Sequence, residues 1–123
     1  MGGSAVRPSA GIAILTALVW TISAGAAAHA ADLKAGRTKY RQLCAFCHGN
    51  SGKGDGSAAR DFPVKPADHT NKAKMKKLSN ADLAKIITQG GRSVGKSPLM
   101  PPFGQLKPAD VQNLIGYIRS LAR

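Results

Sequence analysis

The chain has 123 residues, of which 43% are hydrophobic and 5% aromatic, and its formal net charge is +12 at pH 7. This length allows one domain at most, with only a marginal hydrophobic core of its own. The positive charge would suit nucleic acid, but no nucleic-acid-binding motif is recognisable, and the closely spaced lysines of residues 72–77 have no aromatic residues between them. We therefore expect no nucleic acid as a partner. The charge is better suited to attracting acidic protein surfaces.

The first thirty residues have the layout of a secretory signal peptide. Arg7 precedes residues 11–31, which carry no formal charge, begin as an apolar run and end rich in alanine. We expect cleavage after Ala30, which would leave residues 1–30 as the signal and residues 31–123 as the mature, periplasmic domain. The alternative is an uncleaved anchor, since the uncharged stretch is long enough to span a bilayer. Membrane contact is expected only in that case.

A first helix is predicted over residues 32–43. Asp32 is suited to the N-cap position. The positions that repeat on one helical face are Leu33, Gly36, Tyr40 and Leu43. Glycine in a helix interior costs about 1 kcal/mol relative to alanine. Its presence on the apolar face therefore indicates a close approach by another element.

The motif C-x-x-C-H follows directly, as Cys44-Ala45-Phe46-Cys47-His48. It is the attachment signature of c-type haem, in which the two thiols form thioethers with the haem vinyl groups and the histidine becomes an axial iron ligand. A thioredoxin-like pair would need a βαβ context, which the flanking sequence lacks. A zinc site would need four ligands, and the chain has no other cysteine. A short-loop disulfide is the remaining alternative. We expect one covalent haem c, which would also supply apolar bulk to a small core.

Residues 49–66 are predicted to be a loop, because four glycines and two prolines interrupt them. The loop fits neither the phosphate-binding glycine motifs nor an EF-hand. We expect its glycines to let the backbone wrap closely round the edge of the haem. A carbonyl in this loop is expected to accept the second ring N–H of His48.

A second helix is predicted over about residues 80–89, after a basic and weakly patterned stretch at residues 67–78. Ser79 and Asp82 have the spacing of a capping box, with aspartate in place of the preferred glutamate. Gly90 and the glycine after it provide the C-terminal stop.

The second axial ligand of the iron has three candidates. Met100 lies between prolines in a stiff loop, where a methionine is poorly placed to fill a core and well placed to bind a metal. Met75 is surrounded by lysines, whose charges its burial would bring towards a pocket of low dielectric constant. His69 lies in a polar loop and is expected to be exposed to solvent. The sequence context favours Met100.

The last helix is predicted to begin with Pro108 at its first position and to extend to about Leu121. Its apolar residues repeat at helical spacing, at Val111, Leu114, Ile115, Ile118 and Leu121. This face is the natural partner for the face of the first helix that contains Gly36 and Tyr40. No segment has the alternation of a strand, so the predicted class is all-α.

Three segments together resemble a small bacterial class I c-type monohaem cytochrome. They are G-x-x-x-Y-x-x-x-C-x-x-C-H at residues 36–48, P-L-M-P-P-F-G around Met100, and residues 114–121. The resemblance covers nearly all of residues 32–121.

The resemblance implies a cytochrome c fold, in which the N- and C-terminal helices cross and a middle helix and loops surround one covalent haem. It implies attachment through Cys44 and Cys47 and axial ligation by His48 and Met100. It also implies that the first helix crosses the last near Leu114 and Tyr117.

The chain departs from its relatives at two positions. Ser57 replaces a proline that often follows the glycine-rich loop, so the acceptor for His48 is expected in the backbone of residues 57–63. Lys107 precedes the last helix where relatives often have a serine or aspartate cap, which predicts fraying of the first turn.

The function implied is that of a periplasmic electron carrier that cycles between Fe(III) and Fe(II). With both axial positions filled, no site remains for substrate or oxygen, so we expect no enzymatic activity. The expected partners are acidic surfaces of redox proteins, namely a dehydrogenase, a reductase or an oxidase, and the expected state is a monomer. The alternative is a dedicated subunit of a periplasmic dehydrogenase or oxidase complex.

Overall fold

The computed structural model describes residues 1–5 and 30–122 and contains no strand within them. The five α-helices of these residues are α1 (Leu33–Leu43), α2 (Ala45–His48), α3 (Lys72–Met75), α4 (Asn80–Gln89) and α5 (Pro108–Leu121), with 3₁₀ turns at Ser57–Asp61 and Arg92–Val94. The all-α prediction is confirmed. The proposed signal lies mostly at residues 6–29, outside the described residues. None of the helices in the described part of the chain is long and apolar enough to cross a membrane.

Helices α1 and α5 cross in direct backbone contact at Gly36. A Cβ atom built on this glycine would lie 2.1 Å from the carbonyl oxygen of Asn113 and 3.0 Å from Cβ of Tyr117. One turn further on, the rings of Tyr40 and Tyr117 meet edge to face with centroids 5.2 Å apart. The predicted reason for Gly36, a close helix approach, is therefore confirmed.

The caps of the helices agree with the local sequence signals. The Asp32 carboxylate accepts a hydrogen bond from the backbone N–H of Ala35. At the start of α4, Ser79 and Asp82 form the reciprocal bonds of a capping box, and Gly90 ends the helix with φ 78°. Helix α5 begins at Pro108 and has no side-chain cap from Lys107.

The core lies between α1, α3, α4 and α5. Its most deeply buried side chains are Tyr40 and Leu114, which are 0% and 1% exposed. One side of this core remains open as a cavity, and both the haem-attachment motif and the loop that contains Met100 line it.

Candidate functional site

The cavity has a volume of about 500 Å³ and a mostly apolar lining. The four residues predicted from the sequence, Cys44, Cys47, His48 and Met100, all line it. A volume in this range is typical of pockets that enclose organic ligands and cofactors. The fold thus brings the C-x-x-C-H motif and the distant Met100 to the same cavity.

The C-x-x-C-H motif is a single helical turn attached to the end of α1. Cys44 ends α1, and its carbonyl accepts hydrogen bonds from the backbone N–H groups of Cys47, at 3.2 Å, and His48, at 2.8 Å. Both cysteines are free thiols of intermediate burial. Burial, with a smaller contribution from Cys47, raises the pKa of the Cys44 thiol to about 12. The turn therefore presents two thiols and an imidazole to one cavity.

His48 is oriented by a carbonyl outside the predicted region. Its Nδ1 lies 3.0 Å from the carbonyl oxygen of Ala67, whereas the acceptor was expected in residues 57–63 of the preceding loop. That prediction was wrong because residues 57–61 form a 3₁₀ turn with its own internal hydrogen bonds. Burial lowers the pKa of His48, and the bond to Ala67 partly opposes this shift. A neutral ring that donates through Nδ1 leaves Nε2 available to a metal.

The glycines of the loop permit close contacts with the protein backbone. A Cβ atom on Gly56 would lie 2.3 Å from the carbonyl oxygen of Phe46, and one on Gly54 would lie 2.4 Å from that of Pro66. The backbone N–H groups of Gly54 and Gly56 also donate to the carbonyls of His48 and Cys47, at 2.8 and 3.1 Å. The loop therefore packs tightly against the haem-attachment motif itself.

His69 is buried, and the expectation that it is exposed was wrong. Its side chain is 8% exposed and lines the cavity. Its Nδ1 lies 3.0 Å from the hydroxyl of Tyr40, and its ring stacks on that of His48 with centroids 4.3 Å apart and an interplanar angle of 19°. Burial, reinforced by His48, lowers the pKa of His69 to about 3. A neutral His69 can therefore accept a hydrogen bond at Nδ1 from the Tyr40 hydroxyl.

One sequence signal could have pointed to a partner such as His69. Tyr40 falls on the packed face of α1, and a buried tyrosine hydroxyl usually has a hydrogen-bond partner. A hydrogen-bond partner was therefore to be expected near Tyr40, although the spacing along the chain did not identify it.

Met75 is buried as well, contrary to the argument from its charged neighbours. It is 3% exposed and lines the cavity. The neighbouring lysines are all exposed: Lys72, Lys74, Lys76 and Lys77. A single turn of helix places the thioether inside and these ammonium groups outside, so burial of Met75 draws no charge into the pocket.

Met100 also lines the cavity, from the proline-rich loop. Its side chain is of intermediate burial. Its backbone carbonyl accepts a hydrogen bond of 3.0 Å from Gly91, which ties the loop to the end of α4. The proline-rich segment is thus fixed by backbone contacts and leaves the thioether at the cavity wall.

A family model described as cytochrome C oxidase, cbb3-type, subunit III matches residues 31–118. The chain belongs to this family of class I c-type cytochromes. The family carries haem c and transfers electrons, and its members are generally not catalytic themselves. Cytochrome c domains are typically exported. A search of curated proteins found no match.

Two solved structures resemble this fold. One is a chain of the Kuenenia stuttgartiensis reducing HAO-like protein complex Kustc0457/Kustc0458, with a TM-score of 0.59 and 23% identity. The likeness covers 72% of this chain and 42% of that one, so the present chain spans less than half of that relative. The other is the KustC0563 c-type cytochrome, with a TM-score of 0.58, 22% identity and coverage of 72% and 98%. At these identities the likeness concerns the fold.

Proposed function

We propose that the chain is a periplasmic single-electron carrier with one covalently bound haem c. Cys44 and Cys47 are the attachment points, and His48 and Met100 are the axial ligands. The observation that supports this most strongly is that Met100, which is distant in sequence from the C-x-x-C-H motif, lines the same apolar cavity as Cys44, Cys47 and His48. When bound, haem supplies a reversible Fe(III)/Fe(II) couple.

The lining of the cavity fits the chemistry of a haem. Most of it is apolar, which suits the macrocycle, and its charged side chains include Lys65 and Lys96, which suit the two propionate carboxylates. The thiols of Cys44 and Cys47 hold the group covalently. Ala67 orients the imidazole of His48 through Nδ1 and leaves Nε2 for the iron.

The position of His69 argues against it as the second axial ligand. Axial ligands approach the iron from opposite faces of the macrocycle, so the haem would have to pass between the two rings. The rings of His48 and His69 are stacked in contact, with centroids 4.3 Å apart. They therefore lie on the same side of any haem that His48 binds.

Met75 and Met100 differ in how deeply their side chains are buried and packed, and this difference bears on which of them is the axial ligand. Met75 is almost fully buried and packs in the hydrophobic core with residues of α4 and α5. Met100 is only partly buried, belongs to no such cluster, and is held at the cavity wall by its backbone. These observations support Met100 as the ligand and Met75 as core.

A matched pair of variants tests the assignment. Met100→Ala should abolish the long-wavelength methionine–iron absorption band of the oxidised protein and lower its reduction potential, because a soft neutral ligand favours ferrous iron. Met75→Leu should retain the band, since the substitution nearly conserves volume. Loss of the band in Met75→Leu and its retention in Met100→Ala would reverse the assignment. The mass of the wild-type protein reports how many haems are attached.

A second candidate function is that of a dedicated subunit of a redox complex. The matching family model is named after an oxidase subunit, and one structural relative belongs to a protein complex. The test is purification from the native host under mild conditions. A monomer supports the carrier, whereas a stable stoichiometric complex with a dehydrogenase or oxidase supports the subunit.

The excess of positive charge suggests docking to acidic surfaces of redox partners. Such docking should weaken with added salt, because exposed charges are screened beyond about 10 Å at 0.1 M ionic strength. Electron-transfer rates that do not fall with salt would contradict a basic docking face. The proposed export predicts a mature protein that begins near Ala31, and an N-terminal peptide mass from native material tests this.

A further inference from the structure

One face of the His48 ring is covered by the imidazole of His69. Because His48 is proposed as an iron ligand, this contact bears on how the ligand is oriented. Two nearly parallel rings with centroids 4.3 Å apart are in van der Waals contact. The Ala67 hydrogen bond fixes one edge of the His48 ring at Nδ1. A single hydrogen bond still allows the His48 ring to rotate about it, and the stacked His69 ring limits that rotation.

His69 is itself fixed at three points. Its backbone N–H donates to the carbonyl of Gly52 at 2.7 Å, and its Nδ1 is 3.0 Å from the Tyr40 hydroxyl. Tyr40 is fully buried in the crossing of α1 and α5 and also meets the His69 ring edge to face, with centroids 5.8 Å apart. The packing of the terminal helices is thus connected to His48 through two side chains.

The space around this pair is closed. A Cβ atom on Gly52 would lie 3.3 Å from Cβ of His69 and 3.4 Å from the Tyr40 hydroxyl. His69 is 8% exposed, and its ring covers one face of the His48 ring. A smaller side chain at this position would open a space beside His48 that water or a rotated imidazole can occupy.

We propose that His69 is a positioning residue for His48: held by Tyr40, its ring fixes the orientation of the axial imidazole and excludes water from its face. This inference rests on the proposed function, because it requires His48 to be an iron ligand. Contacts in the second shell of a metal site tune ligand orientation, solvent access and redox potential.

The expected effect follows from solvent access. Water beside the axial ligand stabilises the more highly charged ferric state, so His69→Ala should lower the reduction potential. Mutation of the outer-shell partners of metal ligands typically costs tenfold or more in metal affinity or activity, and we take the same tenfold change as the scale for the redox equilibrium. A tenfold rise in the ferric-to-ferrous ratio at a fixed applied potential corresponds to about 59 mV for a one-electron couple.

Three variants of the holoprotein separate positioning from general stability. His69→Phe retains an aromatic ring over His48 and should keep a potential near that of the wild type. Tyr40→Phe keeps the packing but releases His69, and should give a smaller decrease than His69→Ala. Val111→Ala is the control, because Val111 is buried in α5 but does not line the cavity. It should lower the melting temperature without moving the potential.

The measurements are potentiometric titration and electron paramagnetic resonance of the ferric protein, whose g values depend on axial-ligand orientation. A lowered potential with altered g values in His69→Ala, and neither change in Val111→Ala, supports the proposal. Unchanged values in His69→Ala, or an equal shift in Val111→Ala, overturn it. The wild-type spectra distinguish this failure from a failure of the proposed function, since only the latter would leave the wild type without histidine–methionine ligation.

Discussion

Gly36→Ala tests whether the close crossing of α1 and α5 determines the stability of the domain. The added Cβ atom would lie 2.1 Å from the carbonyl oxygen and 2.7 Å from the carbonyl carbon of Asn113. Ordinary van der Waals contact begins at about 3.4 Å, so the helices would have to separate by about 1.3 Å at this point. The obstructing atoms belong to the backbone of a helix, and no side-chain rotation relieves the clash.

The magnitude is the balance of two terms. Overpacking typically costs about 1–3 kcal/mol and occasionally more. The better helix propensity of alanine offsets about 1 kcal/mol of this cost. Because a rigid backbone must move and Tyr40 packs one turn away, we expect an overpacking cost above the usual range and a net loss of about 2–3 kcal/mol. For a domain of this size, the melting temperature should fall by roughly 10–20 °C.

The assay is thermal and guanidinium denaturation of the holoprotein, followed by far-ultraviolet circular dichroism. Gly116→Ala is the matched control, since it makes the same change inside α5. There the added atom would meet Cβ of Ala31, which precedes α1 and can move aside more easily. We expect a smaller loss in this control. Wild-type stability in Gly36→Ala would refute the reasoning, because the crossing would then tolerate a side chain.

Two further substitutions test how the middle of the chain is held. Arg119→Lys keeps the charge but loses the guanidinium bonds to the Met75 and Leu78 carbonyls, so we expect a loss of about 1–2 kcal/mol in urea denaturation; an unchanged midpoint would show that water replaces them. Ser79→Ala removes the N-cap of α4 and should cost about 1 kcal/mol at pH 7. Hydrogen bonds from Ser79 hold the pKa of Asp82 below its usual range. The stability that the ionised Asp82 carboxylate gains from these bonds is therefore present above about pH 4 and is lost as the pH falls further. The difference in stability between Ser79→Ala and the wild type should shrink in acid for this reason. A difference that stays constant between pH 7 and pH 3 would contradict the role of the ionised carboxylate.

The parts of the fold that the sequence predicted are those controlled by local chemistry. The caps at Asp32 and Ser79 depend on hydrogen bonds across three residues, and these patterns are readable from spacing alone. Gly36 was informative because glycine is unfavourable inside a helix unless something must approach closely. The haem-attachment motif is equally local, since one helical turn contains all three of its functional side chains.

The parts that the sequence did not predict depend on partners far along the chain. The acceptor for His48 is a backbone carbonyl, which any residue type can provide, so nothing in the sequence marks Ala67. His69 is buried because Tyr40 gives it a hydrogen-bond partner and His48 gives it a stacking surface. Its aspartate and threonine neighbours suggested a solvent-exposed loop, and those side chains in fact bond to each other.

The short helix α3 shows why local charge was a poor guide to Met75. Four residues are far too few to form a stable helix alone, because isolated helices shorter than about 12–15 residues are marginal in water. Asn71 caps its first turn. The guanidinium of Arg119, from α5, binds the carbonyls of Met75 and Leu78 and the side chain of Asn80. The neighbouring lysines do not oppose the burial of Met75, because their side chains are exposed to solvent. The backbone at Met75, which lines the cavity, is therefore held in place by an arginine 44 residues further along the chain.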